Sequence, residues 1–167
     1  VLNRVVGQNP STILGLLQSN GKVLLINPNG IVFGSGARVD VQGLIASTLS
    51  ISNTDFLSGH YTFNAGLKPA GVINDGIIRT PSGGSVYLIA SNITNNGIIT
   101  TPQGTVLLAA GHSVKLVDSS NPDIAVVVSA PAHQALNLGS IIAESGSVGI
   151  YGGLVRQAGE VNADSAD

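Results

Sequence analysis

The sequence has no cysteine, no methionine and no tryptophan. Without cysteine there is neither a disulfide framework nor a thiolate metal site. Charge is also scarce: charged residues make up 10% of the chain, against roughly 25% of an average domain. The basic residues Arg4, Lys22, Arg38, Lys68, Arg79, Lys115 and Arg156 are dispersed, and the net charge is −2. No basic patch exists to meet a phosphate backbone, which argues against nucleic acid as a partner. No apolar run approaches the ~18–20 residues that a membrane-spanning helix needs. Glutamate and lysine, both good helix formers, are nearly missing, which weakens the case for helices.

What is present is aliphatic and glycine-rich. Hydrophobic residues make up 43%, aromatics only 4%, and there are 22 glycines; the mean hydropathy is +0.37. Such a chain can fill a narrow, regular core with Val, Ile, Leu and Ala while turning many tight corners. That composition predicts β structure.

The clearest local signal is Leu25-Ile26-Asn27-Pro28-Asn29-Gly30-Ile31-Val32-Phe33-Gly34. Two apolar runs flank four turn-forming residues. Pro28 pre-sets its own φ for the second position of a β-turn, Asn29 and Gly30 tolerate positive φ, and Asn27 can close an Asx-turn. The stretch reads strand, corner, strand. Turns are predicted likewise at Asn9-Pro10-Ser11, Ser19-Asn20-Gly21, Gly34-Ser35-Gly36 and Gly43.

The same rhythm recurs. Val72-Ile73-Asn74-Asp75-Gly76-Ile77-Ile78 leads to Val86–Ala90, and Ile93-Thr94-Asn95-Asn96-Gly97-Ile98-Ile99 leads to Val106–Ala110. Gly76 and Gly97 are 21 residues apart, and Gly139 follows Gly97 by 42 residues, or two periods. Gly159 starts a further copy. Short strands and corners on a period of about 20–21 residues predict a solenoid. The leucine-rich spacing Leu-x-x-Leu-x-Leu is missing, and a right-handed parallel β-helix of three faces fits. Roughly six or seven coils at about 4.8 Å per strand make a rod of about 30 Å. Asparagines recurring at corners are expected to form hydrogen-bonded ladders. Two stretches leave the rhythm and are read as extra-helical β elements, near residues 53–70 (a hairpin between strand-like runs about Gly59-His60) and 118–135. The single unit predicted is 1–167, and its ends predict a piece of a longer protein: Val1 stands in place of Met, and the last residues stop within a repeat.

Asn27-Pro28-Asn29-Gly30-Ile31-Val32-Phe33-Gly34, preceded by Asn9-Pro10-Ser11-Thr12-Ile13-Leu14-Gly15, resembles the secretion domain of two-partner secretion exoproteins. These are the filamentous haemagglutinin-like adhesins, haemolysins and contact-dependent inhibition toxins of Gram-negative bacteria. The Asn-Gly-Ile-Ile repeats and Gly111-His112-Ser113-Val114-Lys115-Leu116 match too, and the resemblance runs from Arg4 onward. It implies a non-catalytic domain on a β-helix with extra-helical elements. It implies recognition in the periplasm by a partner outer-membrane β-barrel transporter, through that partner's periplasmic domains, and then export to the cell surface or medium with folding outside the cell. The family's earlier Asn-Pro-Asn-Leu motif and amino-terminal cap are missing here. Asn27, Pro28, Asn29 and Gly30 are the segment expected to nucleate folding or to be read by the transporter.

Other chemistries fit the residues less well. Asn53-Thr54-Asp55 matches one short motif of the β-helical pectin-degrading enzymes, but there is no Asp-Asp pair to supply the two close carboxylates of glycoside hydrolysis. The stretch is read as a turn. Asp40, Asp75, Asp118 and Asp123 are isolated, and His60, His112 and His133 lack ligand spacing, so no cofactor and no metal are expected. The competing reading is an adhesive module, in which the flank of the rod or the aromatic excursion about Tyr61 and Phe63 meets a glycan or a host protein.

Overall fold

In the computed structural model, which describes residues 1–117, 125–129 and 132–164, the chain winds as a right-handed parallel β-helix. The first rung is β1 (Leu2–Arg4). The first full coil is β2 (Ser11–Ile13) and β3 (Leu16–Ile26), and the second is β4 (Ile31–Phe33) and β5 (Arg38–Ser47). A first excursion follows, with α1 (Asn53–Ser58) and β6 (Thr62–Asn64). The third coil is β7 (Gly71–Asn74), β8 (Ile77–Arg79) and β9 (Ser85–Ala90). The fourth is β10 (Asn92–Asn95), β11 (Ile98–Thr100) and β12 (Thr105–Ala110). A second excursion holds β13 (Ser113–Val117) and β14 (Ala125–Ser129). The fifth coil is β15 (Gln134–Asn137), β16 (Ser140–Ile142) and β17 (Ser147–Tyr151), and β18 (Leu154–Gln157) and β19 (Glu160–Asn162) begin the sixth.

The first face is a six-stranded sheet, β2-β4-β7-β10-β15-β18. The second and third faces merge into one ten-stranded sheet because β3 and β5 run through the corner between them. Arg38–Asp40 of β5 pair with β8 on the second face, while Gly43–Ser47 pair with β9 on the third. Here the predicted corners at Ser19-Asn20-Gly21 and Gly43 need correction. They do not end strands: the former is a register shift between Ser19 and Lys22 within β3, and Gly43 is paired inside β5. Six rungs per face at about 4.8 Å make a stack of about 24 Å between the outer strands.

Parallel, in-register pairing lines up inward side chains in columns. Val39, Ile78, Ile99 and Ile141 stack on the second face; Leu44, Val86 and Val106 stack on the third. All are buried in the core that fills the rod. A polar column runs beside them: Asn74, Asn95 and Asn137 are fully buried above Phe33. Asn74 Nδ2 donates to Asn95 Oδ1 at 2.7 Å, Asn95 Nδ2 to Asn137 Oδ1 at 2.8 Å, and Asn137 Nδ2 to Gln157 Oε1 at 3.0 Å. The predicted ladder therefore forms, and its members satisfy one another out of water.

Two glycine columns mark where successive coils come closest. A Cβ on Gly76 would lie 2.7 Å from the carbonyl oxygens of Gly34 and Ala37, and one on Gly97, Gly139 or Gly159 would run into the carbonyl oxygen of the glycine below. Gly84, Gly104 and Gly146 repeat the pattern at the next corner. Gly139 thus stacks directly on Gly97 (Ile98 pairs with Ser140). The 42-residue gap is one coil plus an excursion, not the two coils that the period predicts.

Both excursions leave at the corner between the third and first faces. They meet outside the rod in a three-stranded sheet, β14-β13-β6, antiparallel at both pairings. The segment predicted as a hairpin near residues 53–70 contains a helix instead. Ser52 Oγ accepts from Asp55 N at 3.0 Å and donates to Asp55 Oδ2 at 2.7 Å, and Gly59 closes the helix at φ 75°. That is a serine N-cap whose hydroxyl also holds the Asp55 carboxylate, and a left-handed C-terminal glycine. Arg4 ties the excursion to β1, donating to Asn53 Oδ1 at 2.8 Å and to the Ile51 carbonyl at 2.7 Å. The second excursion begins at β13, earlier than the predicted residue 118; the turn expected at Asp118–Asp123 lies outside the described residues. The outer sheet buries a second apolar cluster, including Ile26, Leu49, Phe63, Ile89, Leu107 and Val114, against the outside of the third face. Burial there pushes the Tyr87 phenol up from its ordinary range, against a smaller lowering by its hydrogen bond to Ser85.

Three outcomes follow from this packing. Gly139→Ala must separate two coils and should cost about 2–4 kcal/mol in urea denaturation, whereas Gly66→Ala, with open space around its Cβ, should leave the midpoint unchanged. The hydroxyls of Thr80 and Thr101 are buried without a hydrogen-bond partner among the described residues, so Thr101→Val should raise stability by about 1 kcal/mol in the same assay. The Tyr87 phenol titrates higher folded than unfolded, so the unfolded state releases its proton first and stability should fall as the pH rises above 10. Tyr87→Phe should reduce that alkaline fall in the urea midpoint.

Candidate functional site

Asn27-Pro28-Asn29-Gly30 forms the corner between the third face of the first coil and the first face of the second. Gly30 N donates to the Asn27 carbonyl at 3.1 Å, closing a β-turn. Pro28 occupies its second position, where its fixed φ fits. Only Gly30 of the four has positive φ, at 122°. Asn29, which tolerates positive φ, does not adopt it, because the third position of this turn does not need it. Space does not select Gly30, since a Cβ there would only touch Pro10 at 3.5 Å and the Gly71 carbonyl at 3.7 Å. Backbone conformation does.

The Asn27 side chain is fully buried and fully used. Its Nδ2 donates to the Asn9 carbonyl at 3.0 Å and to Ser11 Oγ at 2.8 Å. Its Oδ1 accepts from Asn29 N at 2.9 Å and from Asn29 Nδ2 at 3.0 Å. An Asn side chain has two donor hydrogens and two lone pairs, and all four are engaged. The Asx-turn read from the sequence is the bond to Asn29 N. Asn29, exposed, also donates from Nδ2 to the Gly7 carbonyl at 2.8 Å.

The backbone completes the lock. Ser11 N donates to the Gly30 carbonyl at 3.0 Å, and Asn27 N donates to the Ser47 carbonyl at 2.9 Å. The corner thus grips residues 7–11 of the preceding turn and the second coil at once. Gly7, Asn9 and Ser11 are the partners that sequence reasoning missed. A signal was available: Ser11 and Ile31 lie 20 residues apart and pair in register, one period of the repeat.

The remaining candidates do not converge. Asn53-Thr54-Asp55 is the first turn of α1 and not a free turn, and Asp55 is committed to capping. Asp75 Oδ1 accepts from Asn96 Nδ2 at 2.7 Å in an exposed rung. His60 lies beside Ser58 Oγ at 3.2 Å. His112 and His133 flank the second excursion with nearly parallel rings, centroids 6.2 Å apart. Among the described residues no three His, Cys, Asp or Glu gather as a metal site. Of the two aromatics suggested as an adhesive surface, Phe63 is fully buried and Tyr61 half-buried, so Phe63 is part of the core and not a contact surface.

Comparison with known proteins places this geometry. The chain is similar to the HMW1 secretion domain from Haemophilus influenzae, with a TM-score of 0.91 and 37% identity over 99% of this chain and 45% of that one. It is 41% identical over 75 residues to a heme/hemopexin-binding protein of Haemophilus influenzae, covering 45% of this chain and 8% of the relative. It is 43% identical over 77 residues to the same-named protein of Haemophilus influenzae strain ATCC 51907 / DSM 11121 / KW20 / Rd, covering 44% of this chain and 8% of the relative. The chain therefore spans only a small part of these curated relatives. The TPS secretion domain family matches residues 1–166. With its stacked coils, its two excursions and its Asn27–Gly30 corner, the chain belongs to the TPS, or two-partner secretion, domain family, a non-catalytic module of large exoproteins that directs their secretion.

Proposed function

We propose that the Asn27–Gly30 corner sets the register of the first two coils and so couples folding to export through a partner outer-membrane transporter. The observation that supports this reading is the completely satisfied Asn27 side chain, whose bonds join residues 9 and 11 to the corner. The side-chain bonds of this lock need only residues 7 to 29. The asparagine ladder, by contrast, starts at Asn74 and its last bond reaches Gln157. A chain that folds from its first residues therefore completes this lock before the ladder's residues are present. Each later coil then adds strands to an edge whose register is already set.

The transporter is engaged through its periplasmic domains, which meet residues 1–167 as a unit before the coils form. Extended, charge-poor strands suit addition to a partner's sheet edge. The chain then reaches the cell surface or the medium, where the rod assembles. Effector activity belongs to other parts of the exoprotein.

The test measures export and refolding of the same variants. Asn27→Ala leaves the Asn29 and Ser11 groups without their partner and should cost about 2–3 kcal/mol. It should slow refolding of the chain and reduce export of the exoprotein by its cognate transporter in parallel. Gly30→Val, which forces a β-branched residue to positive φ, should do the same. Normal export of both variants would remove the corner from the mechanism. Lost export with unchanged refolding would show that the transporter reads the corner directly.

A further inference from the structure

A groove of about 190 Å³ lies between the third face of the rod and the first excursion. Its floor is built by register. Outward positions on the third face form two columns there: Lys22, Gly43 and Ser85 in one, Leu24, Ile45 and Tyr87 in the other. The second of these columns continues to Leu107 under the outer sheet, so the groove opens at the margin of the second apolar cluster. Gly59, Tyr61 and Leu116 make the opposite wall. Gly43 creates the depth. A Cβ there would lie 3.2 Å from the Lys22 stem and 3.4 Å from Ser85 Oγ, so any side chain would fill the floor.

The lining has a definite chemistry. Leu24 and Ile45 on the floor and Leu116 on the wall make the lining aliphatic. Lys22, Tyr61, Tyr87 and Ser85 add one amine and three hydroxyl groups to the lining, Lys22 at its exposed edge, and none of the residues lining the groove is a carboxylate. An apolar pocket with a few convergent polar groups is the usual form of a ligand site. One uncompensated cation among donors selects an anion. The volume equals roughly six waters, which limits the occupant to a short chain. We propose that this groove binds a short amphipathic monocarboxylate, with the acyl chain on Ile45 and Leu116 and the carboxylate on Lys22 and the tyrosine hydroxyls. Binding is a property of the folded rod alone, since the walls come from three coils and both excursions.

The protein supplies its own probe. With no tryptophan, its emission comes from three tyrosines, and two of them, Tyr61 and Tyr87, line the groove. Titration of the chain with octanoate should change tyrosine emission saturably, with a Kd of about 0.1–1 mM for so small a ligand. Lys22→Met should weaken octanoate about five- to tenfold, the effect of losing a partly exposed charged hydrogen bond. The same variant should leave 1-octanol binding unchanged. Gly43→Val should abolish the response to both, while circular dichroism shows the fold intact. No saturable response to octanoate, equal weakening of octanoate and octanol by Lys22→Met, or an undiminished response in Gly43→Val would each overturn the proposal.

Discussion

The close approach of one coil to the next is the constraint on which the rod depends. In-register parallel stacking sets neighbouring backbones at about the strand spacing everywhere. At two of the three corners the carbonyl of one coil sits directly beneath the Cα of the next, as at Gly76, Gly97, Gly139 and Gly159. No side chain fits between them. The glycines are therefore selected by contact and not by turn geometry, since none of these four has positive φ. Once the corners are held in contact, the inward side chains fall into columns. Like then stacks on like: aliphatic residues fill the core, and amides pair with amides from Asn74 to Gln157.

Burying amides is favourable only if every donor and acceptor is matched. The rod meets this condition in two ways. From Asn74 onward, each amide is matched by the amide of the next coil, so satisfaction depends on coils that come later in the chain. At Asn27 the partners are the Asn9 carbonyl, Ser11 and Asn29, all within 18 residues. The first arrangement propagates a register and the second establishes one. A chain that folds from this end completes the self-contained site without waiting for later coils. The outer sheet sits at the opposite extreme, because β6 needs β13 from the second excursion, with Asn64 paired to Ser113. It closes over the third face only after the fourth coil is in place.

The coil architecture was legible in the sequence because each coil obeys the same local rule. Gly76 and Gly97, with the Asn-Gly-Ile-Ile motifs around them, announce the period, and the structure places them one above the other. The Asn27–Gly30 turn was equally legible, since Pro28 and Gly30 have few other uses in that order. Three features were less so. The bends in β3 and β5 lack a Pro-Gly signal, and a bulge or a continuous strand carries the chain round instead. The helix α1 spans only six residues, too few for periodicity to show, though Ser52 and Asp55 stood at capping-box spacing. The partners of Asn27 are one coil away, and only the register identifies them. A 42-residue interval was ambiguous for the same reason: an excursion as long as a coil preserves the period while adding no rung.

Both excursions branch from the third corner, and this has a consequence for how such rods vary. The other two corners vary by only a few residues: residues 80–84 join Arg79 to Ser85 where residues 41–42 join Asp40 to Gly43, with the pairing on either side kept. At the third corner the chain leaves after Ser47 and after Ala110 and returns at Gly71 and Gln134 with the strand pairing intact. Whole elements enter at that point, whereas the other corners change by a few residues only. The corner acts as a port into which new sequence can be grafted, by evolution or by a protein engineer adding an epitope, without changing the pitch of the rod.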